Sequence, residues 1–301
     1  MDVALIGLGK MGLGIAENLS QKEGYQLSGM DLNQQVKSEF EKQYGAFYSN
    51  IDALFSEKKS RGIVWIMLPA GETTNHMIKA CCEKLVLGDI IIDAGNSKYL
   101  DSKQNFEYCQ TKGIHFLDVG TSGGMEGART GACMMVGGAE MIFKELEDLF
   151  ADLCVENGYL YCGPAGSGHY LKMVHNGIEY GIMQSIGEGF NVLHHSPYDY
   201  QLGEVAKVFN HGSVIRSWLM ELTENLFKET TDFSMIAGIV PSSGEGKWTV
   251  EEALRLNLAI PVITQSLMTR YSSSDNEKIN EKVIALLRNQ FGGHAFVKEE
   301  S

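Results

Sequence analysis

The sequence predicts an α/β fold in which a doubly wound parallel sheet over residues 1–164 is followed by an all-helical domain over residues 165–301. Three observations predict it. Short apolar runs alternate with helical periodicity through the first half, the pattern of successive β-α-β units. Beyond residue 167, long helical patterns follow one another with no convincing strand. Between the halves lies Gly163-Pro164-Ala165-Gly166, a cluster that favours turns. The 301 residues suit two domains of about 150 residues, each large enough to bury a core without staples.

In chain order, apolar runs predict strands at residues 3–6, 26–30, 63–68, 90–93, 114–119, 132–136 and 159–161. Helical periodicity between them covers 12–20, 74–85 and 140–153. In the second half it covers 171–195, 200–210, 215–227, 250–271 and 277–291, the last entered from the polar run Ser272-Ser273-Ser274-Asp275.

A formal net charge of -13 argues against nucleic acid as a partner, because phosphate backbones need a basic surface. It leaves room for an anionic small molecule held in one local basic pocket. No apolar run approaches the ~18 residues of a membrane span, and the start lacks the charged and apolar regions of a signal peptide. The six cysteines form no C-x-x-C pair and no zinc-like spacing with histidines. Free thiols in a reducing cytoplasm are expected, with no metal site.

Directly after the first strand comes Gly7-Leu8-Gly9-Lys10-Met11-Gly12. This is G-x-G-x-x-G with a strand before it and a helix after it. The first glycine permits the tight turn, the second close approach to a pyrophosphate, and the third close helix–strand packing. The helix N-terminus adds N–H donors and partial positive charge. Asp31 ends the second strand, 19 residues after Gly12, where an acid can accept from ribose hydroxyls and repel a 2′-phosphate. Leu32 and Asn33 follow it with no arginine, so NAD is favoured and NADP remains possible. A helix cap or solvated turn is the alternative reading of Asp31.

The most chemistry lies in Lys172-Met173-Val174-His175-Asn176-Gly177-Ile178-Glu179-Tyr180. Lys172, His175, Asn176, Glu179 and Tyr180 share an arc of about 140° on a helix. Lys172 and Glu179 stand about 10 Å apart along the axis, too far for the usual ion pair and far enough to bracket a small molecule. A desolvated lysine can be a general base, and a buried glutamate a general acid. Two such groups suggest proton transfer at two substrate atoms beyond a hydride transfer. Asn96, in Asp93-Ala94-Gly95-Asn96-Ser97, ends a strand at the edge where open sheets bind ligands. Ser122-Gly123-Gly124 offers a hydroxyl and open N–H groups to a carboxylate.

Taken together, these segments resemble the short form of the 6-phosphogluconate dehydrogenase family, the decarboxylating enzymes of the pentose phosphate pathway. The resemblance rests on Val119-Gly120-Thr121-Ser122-Gly123-Gly124-Met125-Glu126-Gly127-Ala128, on the run from Gly168 to Tyr180, and on Ile92-Asp93-Ala94-Gly95-Asn96-Ser97. Ile215-Arg216-Ser217, Gly246-Lys247-Trp248-Thr249 and the end from Arg288 to His294 extend it. It implies that Lys172 takes the proton of the 3-hydroxyl, and that Glu179 protonates the enediol left after CO2 departs. Asn96, Ser122, Gly123, Gly124, His175 and Asn176 would hold the sugar acid. Tyr180, Arg216, Lys247, Arg288 and His294 would hold its phosphate end. It also implies a homodimer or homotetramer in which Arg288 and His294 reach a neighbouring subunit's site.

Two departures from the long form concern the cofactor. Asp31-Leu32-Asn33 stands where that form has Asn-Arg-Thr, and Pro69, after Leu68, stands where it has a lysine. Both favour NAD. Two other readings are weighed. A different beta-hydroxyacid dehydrogenase, of the 3-hydroxyisobutyrate type, needs a lysine base but neither Glu179 nor the cations Arg216, Lys247 and Arg288. A non-catalytic NAD-binding module would have no use for Lys172 and Glu179.

Overall fold

The computed structural model describes residues 1–56, 61–230 and 232–298. The chain divides into two compact units, Met1–Gly177 and Ile178–Ser301.

Among the described residues the first unit is built on eight strands: β1 (Asp2–Ile6), β2 (Gln26–Met30), β3 (Gly45–Tyr48), β4 (Ile63–Ile66), β5 (Ile90–Asp93), β6 (His115–Ser122), β7 (Ala132–Gly138) and β8 (Cys154–Gly163). They form one sheet in the order β3-β2-β1-β4-β5-β6-β7-β8. Helices fill the connections: α1 (Lys10–Ser20), α2 (Lys37–Gln43), α3 (Ile51–Phe55), α4 (Glu72–Cys82), α5 (Tyr99–Thr111), α6 (Gly124–Thr130), α7 (Glu140–Glu145) and α8 (Glu147–Leu153). All neighbouring strands are parallel except β6 and β7, which are antiparallel with Val119 opposite Val136. That one reversal follows from the short α6 connection, since a parallel return needs a crossover of a dozen or more residues.

The sheet is covered on both faces, as the period of two along each strand requires. Val3 and Leu5, Ile63 and Trp65, and Ile90 and Ile92 enter one core, with Ile15, Leu19, Phe143 and Phe150. Ile6, Val64, Ile66, Ile91 and Phe116 enter the other, with Ile78 and Cys81. Parallel order puts the carboxyl ends of β1, β4, β5 and β6 along one edge of the sheet. The Gly7–Gly12 turn, Leu68 and Pro69, Asn96 and Ser122 all follow or end these strands. Strand order reverses between β1 and β4, the switch point where such sheets bind ligands.

Helix α9 (Ser167–His194) carries the chain from the first unit into the second, which continues with α10 (Leu202–Asn210), α11 (Trp218–Glu229), α12 (Glu245–Arg255), α13 (Pro261–Ser274) and α14 (Ile279–Gly292). Phe190, Ala206 and Met220 form the buried centre of this unit, with the rings of Phe190 and Phe227 stacked 5.3 Å apart. No helix among the described residues is long and apolar enough to cross a membrane.

Several elements differ from their sequence-based expectation. Strand β3 was not expected; only Phe47 of its four residues is buried, so it carries no apolar run. The helix expected over 250–271 is two helices, because Pro261 has no N–H to continue the ladder and opens α13. The helix expected over 140–153 breaks at Leu146 into α7 and α8. Ile215 and Arg216 lie outside α11, whose N-cap is Ser217, with its hydroxyl accepting from Met220 N–H. The strand expected over 159–161 extends from Cys154 to Gly163.

Phe150 is fully buried, stacked 5.6 Å from Phe143 and tilted 6.4 Å from Trp65. Phe150→Ala is expected to destabilise the first unit by about 3–5 kcal/mol in urea titration. A loss below about 1 kcal/mol would show that this ring is not part of a close-packed core.

Candidate active site

At the end of β1 the glycine turn has the geometry its sequence implies. Gly7 adopts φ +92°, and a Cβ there would meet the Met67 carbonyl oxygen at 2.4 Å. A Cβ on Gly12 would lie 2.0 Å from the Gly7 carbonyl oxygen, so α1 packs against the strand only with glycine there. Above Gly9 the space is open, with no atom within 4 Å of an added Cβ. Gly9 caps α1 without a side-chain hydrogen bond, and Lys10 is exposed. The Asp31 carboxylate accepts from Leu8 N–H at 2.6 Å and from Asn33 N–H at 2.7 Å. It thus braces the turn and still has lone pairs for further donors. Leu68 packs beside Gly7, and the Pro69 carbonyl accepts from the Thr74 hydroxyl at 2.8 Å.

Lys172 lies on α9 with only 6% of its surface exposed. It gets there because Gly120 has no side chain: a Cβ on Gly120 would stand 2.3 Å from Lys172 Cβ. Lys172 Nζ donates to Asn176 Oδ1 at 2.8 Å. With Lys172 as the ammonium, which only donates, the amide atom it faces is the oxygen. The same oxygen lies 3.0 Å from His175 Nδ1, which must therefore carry the proton. In the neutral ring His175 Nε2 is then the acceptor, 3.3 Å from Ser122 Oγ. Four of the expected residues are thereby joined in one hydrogen-bonded chain, Lys172–Asn176–His175–Ser122. Gly123 and Gly124 follow Ser122 at φ +112° and +59°. Asn96 is exposed on the turn between β5 and α5.

Buried polar groups underlie this surface. The Asp118 carboxylate accepts from Gly166 N–H at 2.7 Å and His169 N–H at 2.9 Å. Asp93 accepts from Gly95 N–H at 3.2 Å, and burial pushes its carboxyl above the usual range. No role was read from the sequence for Asp93, Asp118, His169 or Gly120; the partners of Asp118, His169 and Gly120 lie far along the chain.

In the second unit Tyr180 is buried, its hydroxyl 3.4 Å from Ser243 Oγ and accepting from Ser243 N–H at 3.2 Å. Gly246 is tight against the ring, with an added Cβ 2.4 Å from Tyr180 Cε2. The Arg270 guanidinium lies 3.5 Å from the ring centroid and donates to the Pro241 carbonyl at 2.9 Å. Arg270 was not singled out in the sequence; nothing distinguishes it there from a surface cation on α13. Glu179, half-buried, precedes Tyr180 on α9. Lys247 is exposed and pairs with Glu251 at 3.6 Å. Arg216 and Arg288 are exposed, and the exposed His294 ring packs on Phe291 at 6.5 Å.

Comparison with known proteins places the chain. Residues 2–163 match the NAD binding domain of 6-phosphogluconate dehydrogenase, and residues 168–300 match the 6-phosphogluconate dehydrogenase C-terminal domain. A Bacillus subtilis (strain 168) protein with a provisional 6-phosphogluconate dehydrogenase name is 51% identical over 300 residues, 99% of this chain and 100% of that one. The NAD(+)-dependent, decarboxylating 6-phosphogluconate dehydrogenase of Haloferax volcanii is 35% identical, over 100% of both chains. Among solved structures, Plasmodium falciparum 6-phosphogluconate dehydrogenase, studied alone, with NADP+ and with 6-phosphogluconate, gives a TM-score of 0.83 at 30% identity. That match covers 99% of this chain and 66% of that one. A Mycobacterium tuberculosis 3-hydroxyisobutyrate dehydrogenase shares the fold, with TM-score 0.70 at 18% identity over 90% of this chain and 92% of that one.

Proposed function

The chain belongs to the 6-phosphogluconate dehydrogenase family, and on that premise we propose that it oxidatively decarboxylates 6-phospho-D-gluconate to D-ribulose 5-phosphate and CO2, favouring NAD+ over NADP+. The observation that carries the reading is the buried Lys172, fixed through Asn176 and His175 to Ser122, on the same helix as Glu179.

The first unit fits a nicotinamide dinucleotide. Open space above Gly9 and an α1 N-terminus with no side-chain cap leave room and donors for a pyrophosphate on the run from Gly7 to Gly12. Asp31, at the end of β2, would accept from ribose hydroxyls and repel a 2′-phosphate, and Leu68, Pro69 and Asn96 would complete the binding surface. When bound, the nicotinamide supplies the acceptor for the hydride on C3. Lys172, as the neutral amine, accepts the proton of the 3-hydroxyl. Its ammonium then polarises the new carbonyl and, as CO2 leaves and the electron pair of the breaking bond to the carboxylate moves toward that oxygen, gives it a proton, so that an enediol forms. Glu179 delivers a proton to the carbon that becomes C1 of the product, while the neutral Lys172 takes the enediol hydroxyl proton back and leaves the ketone. Asn96, Ser122, Gly123, Gly124, His175 and Asn176 hold the sugar acid, and Tyr180, Arg216, Lys247, Arg288 and His294 its phosphate end. Residues 165–301 then act as the substrate and oligomerisation domain of a cytoplasmic enzyme, and the six free cysteines suit that reducing compartment.

The homo-oligomer rests on α14, which buries none of its residues and exposes Ile279, Val283 and Leu287 at four-residue spacing. A second copy of the chain is the proposed cover, with Arg288 and His294 reaching its site. Sedimentation should give two or four times the 33.2 kDa chain mass; a monomer removes this part of the proposal.

The function is tested by adding 6-phosphogluconate with NAD+ or NADP+ and following reduced nicotinamide. Signal should be greater with NAD+, and Asp31→Ala should narrow or reverse the ratio. No signal in folded protein would refute the activity, and an unchanged ratio in the variant would remove Asp31 from cofactor choice. Glu179→Gln should lower turnover by about 10²–10⁴-fold, because the enediol loses its acid. Wild-type turnover in that variant would take Glu179 out of the mechanism.

A further inference from the structure

His169 is 2% exposed, and both of its ring nitrogens have partners on other elements. Nε2 lies 2.9 Å from the Gly95 carbonyl oxygen, in the turn between β5 and α5. Nδ1 lies 2.7 Å from Ser102 Oγ, on the first turn of α5. A carbonyl only accepts, so Nε2 carries a proton. In the neutral ring Nδ1 is then an acceptor, and the Ser102 hydroxyl donates to it in preference to the Lys98 carbonyl, 3.4 Å away. The ring is therefore locked in one tautomer between α9 and the segment that carries Asn96.

The position of this ring is itself fixed. His169 N–H donates to the buried Asp118 carboxylate, one turn of α9 before Lys172. The turn that it grips is packed against the cofactor loop as well: a Cβ on Gly95 would be 2.8 Å from the Leu68 carbonyl oxygen. Gly95 N–H is held from its other side by Asp93 Oδ1. One side chain thus connects three parts of the first unit, the helix of Lys172, the turn of Asn96 and the start of α5.

We propose that His169 is a positioning residue: through its Nε2–H bond to the Gly95 carbonyl it sets the Asn96 turn at a fixed place relative to Lys172. This deepens the functional reading above and rests on it for the roles of Asn96 and Lys172. The tether itself is a property of the fold and is measurable without turnover.

The test compares His169→Leu, which removes both ring bonds, with His169→Gln, whose amide N–H can reach the Gly95 carbonyl, and with Ser102→Ala. Amide exchange of residues 94–98 is followed by mass spectrometry, together with KM and kcat for 6-phosphogluconate. Exchange in that turn should rise about tenfold in the leucine variant and stay near wild type in the glutamine variant. KM should rise about tenfold in the leucine variant with a smaller change in kcat, and recover with glutamine. Ser102→Ala, a mild change that frees the tautomer, should move both readouts in the same direction. Unchanged exchange in a folded leucine variant, or equal effects of leucine and glutamine, would overturn the proposal. If the leucine variant does not fold, unchanged exchange and KM in Ser102→Ala would overturn it. Loosened exchange with no wild-type turnover on 6-phosphogluconate would keep the tether and discard the functional reading.

Discussion

The carboxylate of Asp118 joins the sheet to the helix that carries Lys172. It is fully buried on β6 and accepts from the backbone at Gly166 and His169, at the start of α9. An anion there satisfies N–H groups that the helix cannot bond internally and lies at the positive end of its dipole. The approach is close enough to demand glycine nearby. A Cβ on Gly168 would be 2.4 Å from the carbonyl oxygens of Asp118 and Met135, and one on Gly137 would be 2.6 Å from Asp118 Oδ1. With the helix start fixed this way, Lys172 crosses the strand at Gly120, and Asn176, His175 and Ser122 follow by hydrogen bonding.

Much of the sheet was legible because its chemistry is local. Strands buried on both faces read as continuous apolar runs, as in Ile90–Asp93 and Ile63–Ile66. The glycine turn was legible because Gly7 and Gly12 answer backbone contacts within a few residues or on the adjacent strand end, and Gly9 leaves the space above the turn open. Strand β3 was not, since its place in the sheet comes from pairing with β2 rather than from its own pattern. The break at Pro261 was in plain view, but apolar periodicity on both sides masked it. A missing N–H outweighs a continuous pattern.

The site divides in the same way. The stripe from Lys172 to Tyr180 could be read because a helix brings i, i+3 and i+4 positions together without help from the rest of the chain. The supporting groups could not. His169 meets Gly95 across 74 residues, and Asp118 meets Gly166 across 48. Arg270 reaches the Tyr180 ring from another helix. No spacing within one segment encodes such contacts; they follow from strand order and from where each helix starts. The Asp31 carboxylate shows a third case, because bracing the turn and meeting a ribose are compatible uses of one group.

The central proposal, with Lys172 as base and Glu179 as acid, is that oxidation and loss of the carboxylate are coupled in one reaction. 6-Phosphogluconate carrying carbon-13 in its carboxylate tests this directly, with labelled CO2 and reduced nicotinamide measured in the same reaction. The account predicts equal amounts of the two at every time point. Reduced nicotinamide formed without labelled CO2 would contradict it, leaving a dehydrogenase in which Glu179 has no acid step to perform.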